Sequence, residues 1–165
     1  MTLRDATEAD LPLIVEIYNA TIPGRMVTAD LEPVSVASRE PWFREHTPGA
    51  RPLWVVEENG RICAWLSFNS FRNRPAYRPT SEISLYVAEA SRRRGYGRFL
   101  LTEAIARAPA CGLNTLLGFI WAHNGPSLRL FQNFGFERWG CLPRTAIMDG
   151  IERDVVIVGR RVGSP

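Results

Sequence analysis

The chain contains no lysine: all 20 basic residues among its 165 are arginine. Schiff-base chemistry and a lysine nucleophile are therefore excluded. So is a Walker phosphate loop, whose G-x-x-x-x-G-K-[ST] pattern cannot be completed. Cysteine and histidine are nearly as scarce. Cys63, Cys111 and Cys141 are isolated, odd in number and without C-x-x-C spacing, which suits a reducing cytoplasm and argues against a disulfide framework. His46 and His123 are the only histidines, and neither has a second His or Cys at ligand spacing, so no metal is expected. No apolar run approaches the ~20 residues that span a bilayer, and the first residues lack the apolar core of a signal peptide.

Charge of one sign is also in short supply. Twenty basic against 17 acidic residues leave +3, too small an excess to imply a nucleic-acid-binding face. What is present, 45% hydrophobic and 22% charged residues, is ordinary for a globular protein. The length fits one domain over residues 1–165, large enough to bury roughly two-thirds of its unfolded surface. The expectation is a soluble, cytoplasmic protein with neither nucleic acid nor membrane as partner.

Periodicity predicts the order βααβββαβαββ in one α/β unit. Thr2 to Ala6 reads as a strand, and Thr7 with Asp10 as an imperfect capping box before a helix carrying Leu11, Ile14, Val15 and Tyr18. A second helix is expected over about Val34 to His46, with Trp42 and Phe43 in its apolar stripe. Asn59-Gly60 predicts a hairpin turn between strands at Leu53–Val56 and Ile62–Phe68. Phe71 to Pro79 reads as a loop, Glu82 to Val87 as a strand, and Phe99 to Ala108 as a helix. Leu113 to Ala122 follows as a strand, then a helix from Asn124 to the C-cap signature Asn133-Phe134-Gly135. Two last strands flank Asp149-Gly150, the second over about Glu152 to Gly159.

Most chemistry is concentrated in Leu85-Tyr86-Val87 and the segment Arg92-Arg93-Arg94-Gly95-Tyr96-Gly97-Arg98. A strand runs into a glycine-bearing turn that opens onto a helix. Backbone N–H groups at such a helix start attract an anion, and the arginines add charge, so the turn suits a pyrophosphate. A solvated arginine turn is the other reading. A dinucleotide fingerprint is excluded, because Leu100 stands where the third glycine belongs.

In this strand–turn–helix context, Arg92-x-x-Gly95-x-Gly97 resembles the acyl-CoA signature of the GNAT acetyltransferase superfamily, [QR]-x-x-G-x-[GA]. Asn124-x-x-Ser127-x-x-Leu130-Phe131, closing at Gly135-Phe136, is similar to the superfamily's second landmark. Glu16-Ile17-Tyr18-Asn19, Thr28-Ala29-Asp30-Leu31-Glu32-Pro33, Trp42-Phe43 and Arg74-Pro75-Ala76-Tyr77-Arg78 with Glu82 look like the phosphinothricin N-acetyltransferase branch. The resemblance implies a mixed, mostly antiparallel sheet whose fourth and fifth strands splay apart, with helices on both faces. It implies acetyl-CoA as cosubstrate, a small amino-acid-like amine as acceptor, and a homodimer. Carried over, Leu85, Tyr86 and Val87 would meet the pantetheine, and Arg92 to Arg98 the pyrophosphate. Asn124 would bind the pantetheine or steer the helix beside it, and Ser127 would lie near the thioester.

An amine must be neutral to attack, yet an α-amine is mostly protonated at pH 7. A carboxylate in a partly dry cleft can take the proton, and Glu82, three residues before Leu85, is in the family position of that base. An ordinary exposed strand glutamate is the alternative. A backbone N–H of Leu85 to Val87 would polarise the thioester carbonyl. Arg72, Arg74, Tyr77 and Arg78 lie just upstream, where guanidinium groups suit an anionic amino-acid analogue or merely a charged surface loop. Met26, Val27 and Trp121 are candidates for the acceptor's walls. His46 and His123 read as structural or solvent-facing. Phe131 departs from the family's Tyr or His, leaving the thiolate to depart unassisted or with a proton from Ser127 or water. Other open readings are a GNAT enzyme for another amine, such as a polyamine or a protein N-terminus, and a non-catalytic acyl-CoA-binding module.

Overall fold

In the computed structural model, which describes residues 1–163, the chain forms one seven-stranded sheet. The strands are β1 (Thr2–Asp5), β2 (Leu53–Glu58), β3 (Arg61–Ser70), β4 (Thr80–Val87), β5 (Thr115–Trp121), β6 (Glu137–Met148) and β7 (Ile151–Arg161). The helices are α1 (Leu11–Asn19), α2 (Val36–Arg44), α3 (Tyr96–Arg107) and α4 (Gly125–Asn133). The element order is the expected one. The strands lie in the order β1-β2-β3-β4-β5-β7-β6, antiparallel throughout except for the parallel pair β4–β5.

Both faces of the sheet are covered, which explains why β2 and β3 are buried almost continuously instead of alternating. Trp54, Val56, Leu66 and Phe68 point to a core shared with Leu100, Leu101 and Ala104 of α3 and with Phe131 of α4. Their neighbours Val55 and Trp65 face the other way, onto Ile14, Ile17 and Tyr18 of α1. Asn59 and Gly60 take positive φ (53° and 73°), the geometry that a two-residue hairpin between right-twisted strands requires. Helix α2 is shorter than its apolar stripe suggests. Ser35 caps it by accepting the Ser38 N–H at 3.1 Å, and the helix ends at Arg44, before His46.

The parallel pair positions the site. Strands β4 and β5 are in register only over Thr80–Thr115, Ser81–Leu116 and Glu82–Leu117. Beyond Glu82 they part, while β4 stays paired to β3 as far as Val87 and β5 to β7 as far as Trp121. The expected splay of the fourth and fifth strands is therefore present, and it begins at Glu82.

Candidate active site

The mouth of the splay opens into a cleft of about 920 Å³. Its floor is Leu85, Tyr86 and Val87, and Gly95 and Gly97 form one side. Gly95 has φ +89°, a conformation costly for any other residue, and turns the chain into α3. Gly97 lies where a Cβ would come within 3.1 Å of Leu130, so the turn and α4 approach closely only because it is glycine. The N–H groups of the first α3 turn have no partner within the helix and carry its positive dipole end. A group with a pyrophosphate fits this side of the cleft.

The arginines divide. Arg92, Arg93 and Arg98 line the cleft, and Arg98 also lies over the Phe134 ring at 5.6 Å. Arg94 was expected beside them, but it is not a lining residue: its guanidinium donates to Glu58 Oε2 at 2.6 Å. Tyr96 lines the cleft and has a structural task as well. Its ring is 1% exposed and its hydroxyl donates to the same Glu58 oxygen at 2.6 Å, holding that carboxyl below its usual range. Together Arg94 and Tyr96 tie the turn to the end of β2, a structural task.

Asn124 spends both ends of its amide inside the protein. Oδ1 accepts the Ser127 N–H at 3.2 Å and caps α4, while Nδ2 donates to the Met26 carbonyl at 2.6 Å. Of its two expected roles, steering the helix is the one that these bonds serve. They also hold the segment Thr21–Val27 over the cleft, helped by His123 Nε2 on the Arg25 carbonyl at 2.8 Å. Arg25 itself pairs with Asp149 in the β6–β7 turn at 2.8 Å. Ser127 lines both the cleft and the narrow wedge of about 50 Å³ inside the splay. Val27, Trp121 and Phe131 line the wedge too, and Phe131 is packed edge-on against Phe136.

Glu82 is half-buried at the last paired position of β4 and β5, and among the described residues no donor bonds its carboxylate. Burial pushes its pKa up from the ordinary value. Across the antiparallel pair Glu82 faces Asn69, Ser84 faces Ser67 and Tyr86 faces Trp65, so these six side chains share one face of the sheet. On that face lies a second cavity, of about 200 Å³, between the sheet, α1 and α2. Tyr18, Trp42, Trp65 and Tyr86 form its aromatic walls, with Arg39 and Asn69 among its polar groups. Asn69 braces it, accepting from Trp42 Nε1 at 3.1 Å and donating to Ser67 Oγ at 3.1 Å. Tyr86 lines the pocket, the wedge and the cleft, so the three adjoin along β4, and Glu82 lies four residues before Tyr86 on the same face of that strand.

Sequence reasoning missed this pocket. A signal was available: Ser67, Asn69 and Ser84 alternate with buried Leu66, Phe68 and Ile83, placing small polar groups on one face of otherwise apolar strands. The loop residues Arg72, Arg74, Tyr77 and Arg78 are exposed and line neither cavity. Arg72 lies over the Phe71 ring at 5.3 Å and Tyr77 meets it edge-on at 5.4 Å. His46 Nδ1–H donates to the Trp42 carbonyl at 2.8 Å, a structural contact.

Residues 14–136 match the model of the acetyltransferase (GNAT) family. The chain belongs to that family. It is 51% identical over 163 residues to a phosphinothricin acetyltransferase-like protein of Bacillus subtilis (strain 168), YwnH, covering 98% of this chain and 99% of the relative. It is 32% identical to the L-methionine sulfoximine/L-methionine sulfone acetyltransferase of Salmonella typhimurium (strain LT2), over 91% of this chain and 88% of the relative. Among solved structures, the GNAT phosphinothricin acetyltransferase of Sinorhizobium meliloti in complex with acetyl-CoA superposes with a TM-score of 0.91. Identity there is 32%, covering 98% of this chain and 88% of that one. This GNAT protein is accordingly an N-acetyltransferase of the phosphinothricin and methionine sulfoximine type, and acetyl-CoA is bound in a related structure.

Proposed function

We propose that this GNAT enzyme acetylates the α-amine of a small amino-acid-like acceptor, such as phosphinothricin or methionine sulfoximine. The observation that carries the reading is the place of Glu82. A half-buried carboxylate with no donor among the described residues stands where β4 and β5 begin to splay, on the sheet face that also carries Ser84 and Tyr86 of the aromatic pocket. Acetyl-CoA, when bound, supplies an acetyl group as a thioester. Gly95, Gly97 and the start of α3, with Arg92, Arg93 and Arg98, hold the pyrophosphate. Leu85, Tyr86 and Val87 present β4 backbone groups that β5 no longer pairs, and one such N–H draws charge from the acyl carbonyl. Glu82 takes the ammonium proton, directly or through water, leaving the amine neutral. Ser127, at the junction of wedge and cleft, is placed to hydrogen-bond the departing sulfur, a service that the Phe131 ring cannot perform.

The whole chain acts as one acetyltransferase domain in this reading. The three unpaired cysteines suit a cytoplasmic enzyme. A homodimer is proposed through the edge strand β6 and its hairpin, where Trp139, Leu142, Ile147 and Ile151 expose apolar side chains. Thiol release from acetyl-CoA with a panel of amines tests the function. Turnover with methionine sulfone, methionine sulfoximine or phosphinothricin is expected. Turnover confined to polyamines or peptide N-termini would move the acceptor class, and none at all would leave a binding module.

A further inference from the structure

We propose that Arg39 is the anion receptor of the aromatic pocket and sets which amines are acetylated, by holding an oxygen anion or oxo group of the acceptor. This rests on the reading that the pocket takes the acceptor. Arg39 is the one charged side chain lining the pocket. It is held firmly yet used sparingly. One Nη2 hydrogen bond reaches Asp30 at 3.1 Å, and the guanidinium carbon lies 4.5 Å from the Tyr18 ring centre and 5.8 Å from that of Trp42. Asp30 is in turn fixed by the Tyr18 hydroxyl, which also bonds Thr28. A guanidinium has five N–H groups, so most of those on Arg39 have no acceptor among the described residues.

A cation held against two aromatic rings, with N–H groups to spare, makes a defined receptor. The half-buried position of Arg39 strengthens its attraction to an anion over that at a fully exposed site, and the flat guanidinium suits two oxygens on one centre. The same charge repels a polyamine. Glu82 is on the sheet face that floors the pocket, with Ser84 between it and Tyr86. An acceptor with its amine beside Glu82 therefore extends over Ser84 and Asn69 toward α2, which carries Arg39. Two groups of an amino-acid analogue have acceptors of this kind: the α-carboxylate, and at the side-chain tip the two oxygens of a phosphinate or sulfone or the oxygen and nitrogen of a sulfoximine.

The test is steady-state kinetics with methionine sulfone, its methyl ester and methionine, on wild type, Arg39→Gln, Arg39→Lys and Asp30→Asn. Arg39→Gln is expected to lose about 10- to 100-fold in kcat/KM for the sulfone, mostly through KM, with the acetyl-CoA KM unchanged. Arg39→Lys should restore part of the loss. Asp30→Asn removes the competing negative charge while keeping an oxygen that can accept the Arg39 hydrogen bond, and should keep the sulfone KM at or below the wild-type value. If the methyl ester loses as much as Arg39→Gln in wild type and nothing more in the variant, the carboxylate is the group held. If methionine behaves so instead, it is the sulfone. Equal losses in Arg39→Gln and Asp30→Asn would show a structural wall only and overturn the proposal, as would an unchanged Arg39→Gln. In either case wild-type turnover of the sulfone leaves the proposed function standing. Its absence for every amine would remove both.

Discussion

Glu82 and Leu117 are the last residues that β4 and β5 hold in register, and the side chain of Glu82 is the half-buried carboxylate at the fork. A parallel pair that stops there opens a gap whose walls are still rigid, because each strand keeps its other neighbour. Tyr86, on the β4 side of this gap, lines both the cleft and the pocket, so the proposed base is carried by a strand and not by a loop.

Glu82→Gln is expected to lower turnover by about 10²- to 10⁴-fold while sparing acetyl-CoA affinity, and the deficit should shrink at high pH as free amine accumulates. In wild type the acid limb of activity should lie above pH ~4.3, the ordinary glutamate value, because burial raises the pKa of Glu82. Stability follows the opposite sign. A carboxyl whose folded pKa is raised contributes most below its unfolded pKa, and that contribution is lost as pH rises through the folded one. Ionised Glu82 thus costs stability at pH 7, and Glu82→Gln should melt no lower than wild type there. Wild-type turnover in the variant would assign the base elsewhere.

Gly95→Val is expected to abolish most acetyl-CoA binding, by about tenfold or more in calorimetry. No heavy atom of the surrounding protein lies within 4 Å of a Cβ built at Gly95, so the new side chain meets the cleft, not the core. A φ of +89° also makes the valine strained, at about 1–3 kcal/mol, so a lower melting temperature should accompany the loss. A folded variant with unchanged affinity would remove the turn from the cosubstrate site.

The local elements and the glycine turn into α3 were legible in the sequence because their causes are local. Asn59-Gly60 fixes its own turn, and Gly95 and Gly97 announce a close approach within three residues of each other. The splay was legible only through resemblance, since nothing within Ile83 to Val87 reveals that β5 will leave it. Arg39 and Asn69 were not legible. They meet Tyr18 and Glu82 through the β3–β4 register and the docking of α2, pairings that sequence spacing does not encode. Arg94 misled for the converse reason: inside a phosphate-like motif, its side chain is consumed by Glu58 from a distant strand.

Asp10 anchors the start of α1, the helix whose Ile14, Val15 and Tyr18 wall the pocket. Arg4 donates to both its oxygens, at 2.7 and 3.0 Å, and Thr7 N–H donates to it at 2.7 Å. Chiefly through Arg4, its pKa is lowered from 3.8 to about 2. A lowered carboxyl contributes stability above its unfolded pKa and loses it as pH falls through the folded one. Asp10→Asn should therefore cost about 1–2 kcal/mol at pH 7, discounted for the partly exposed Arg4. The gap from wild type should close between pH 4 and about 2 in denaturant melts. A constant gap across that range would assign the cost to packing.

Arg72, Arg74 and Arg78 remain proposed aids to an anionic acceptor, but their exposure limits what each is worth. A buried arginine that loses its carboxylate costs 30-fold or more, whereas a rim charge acts mainly by steering the encounter. Single changes Arg74→Ala and Arg78→Ala are therefore expected to lower kcat/KM for methionine sulfone by less than about tenfold. That loss should fade as salt rises past ~0.15 M, where charges more than about 8 Å apart are screened. The Arg39→Gln loss should persist at the same salt, because its partner sits among aromatic rings. Kinetics at low and high ionic strength separate the two. A large, salt-resistant loss in Arg74→Ala would place that arginine against the bound acceptor, inside a site to which this loop contributes directly.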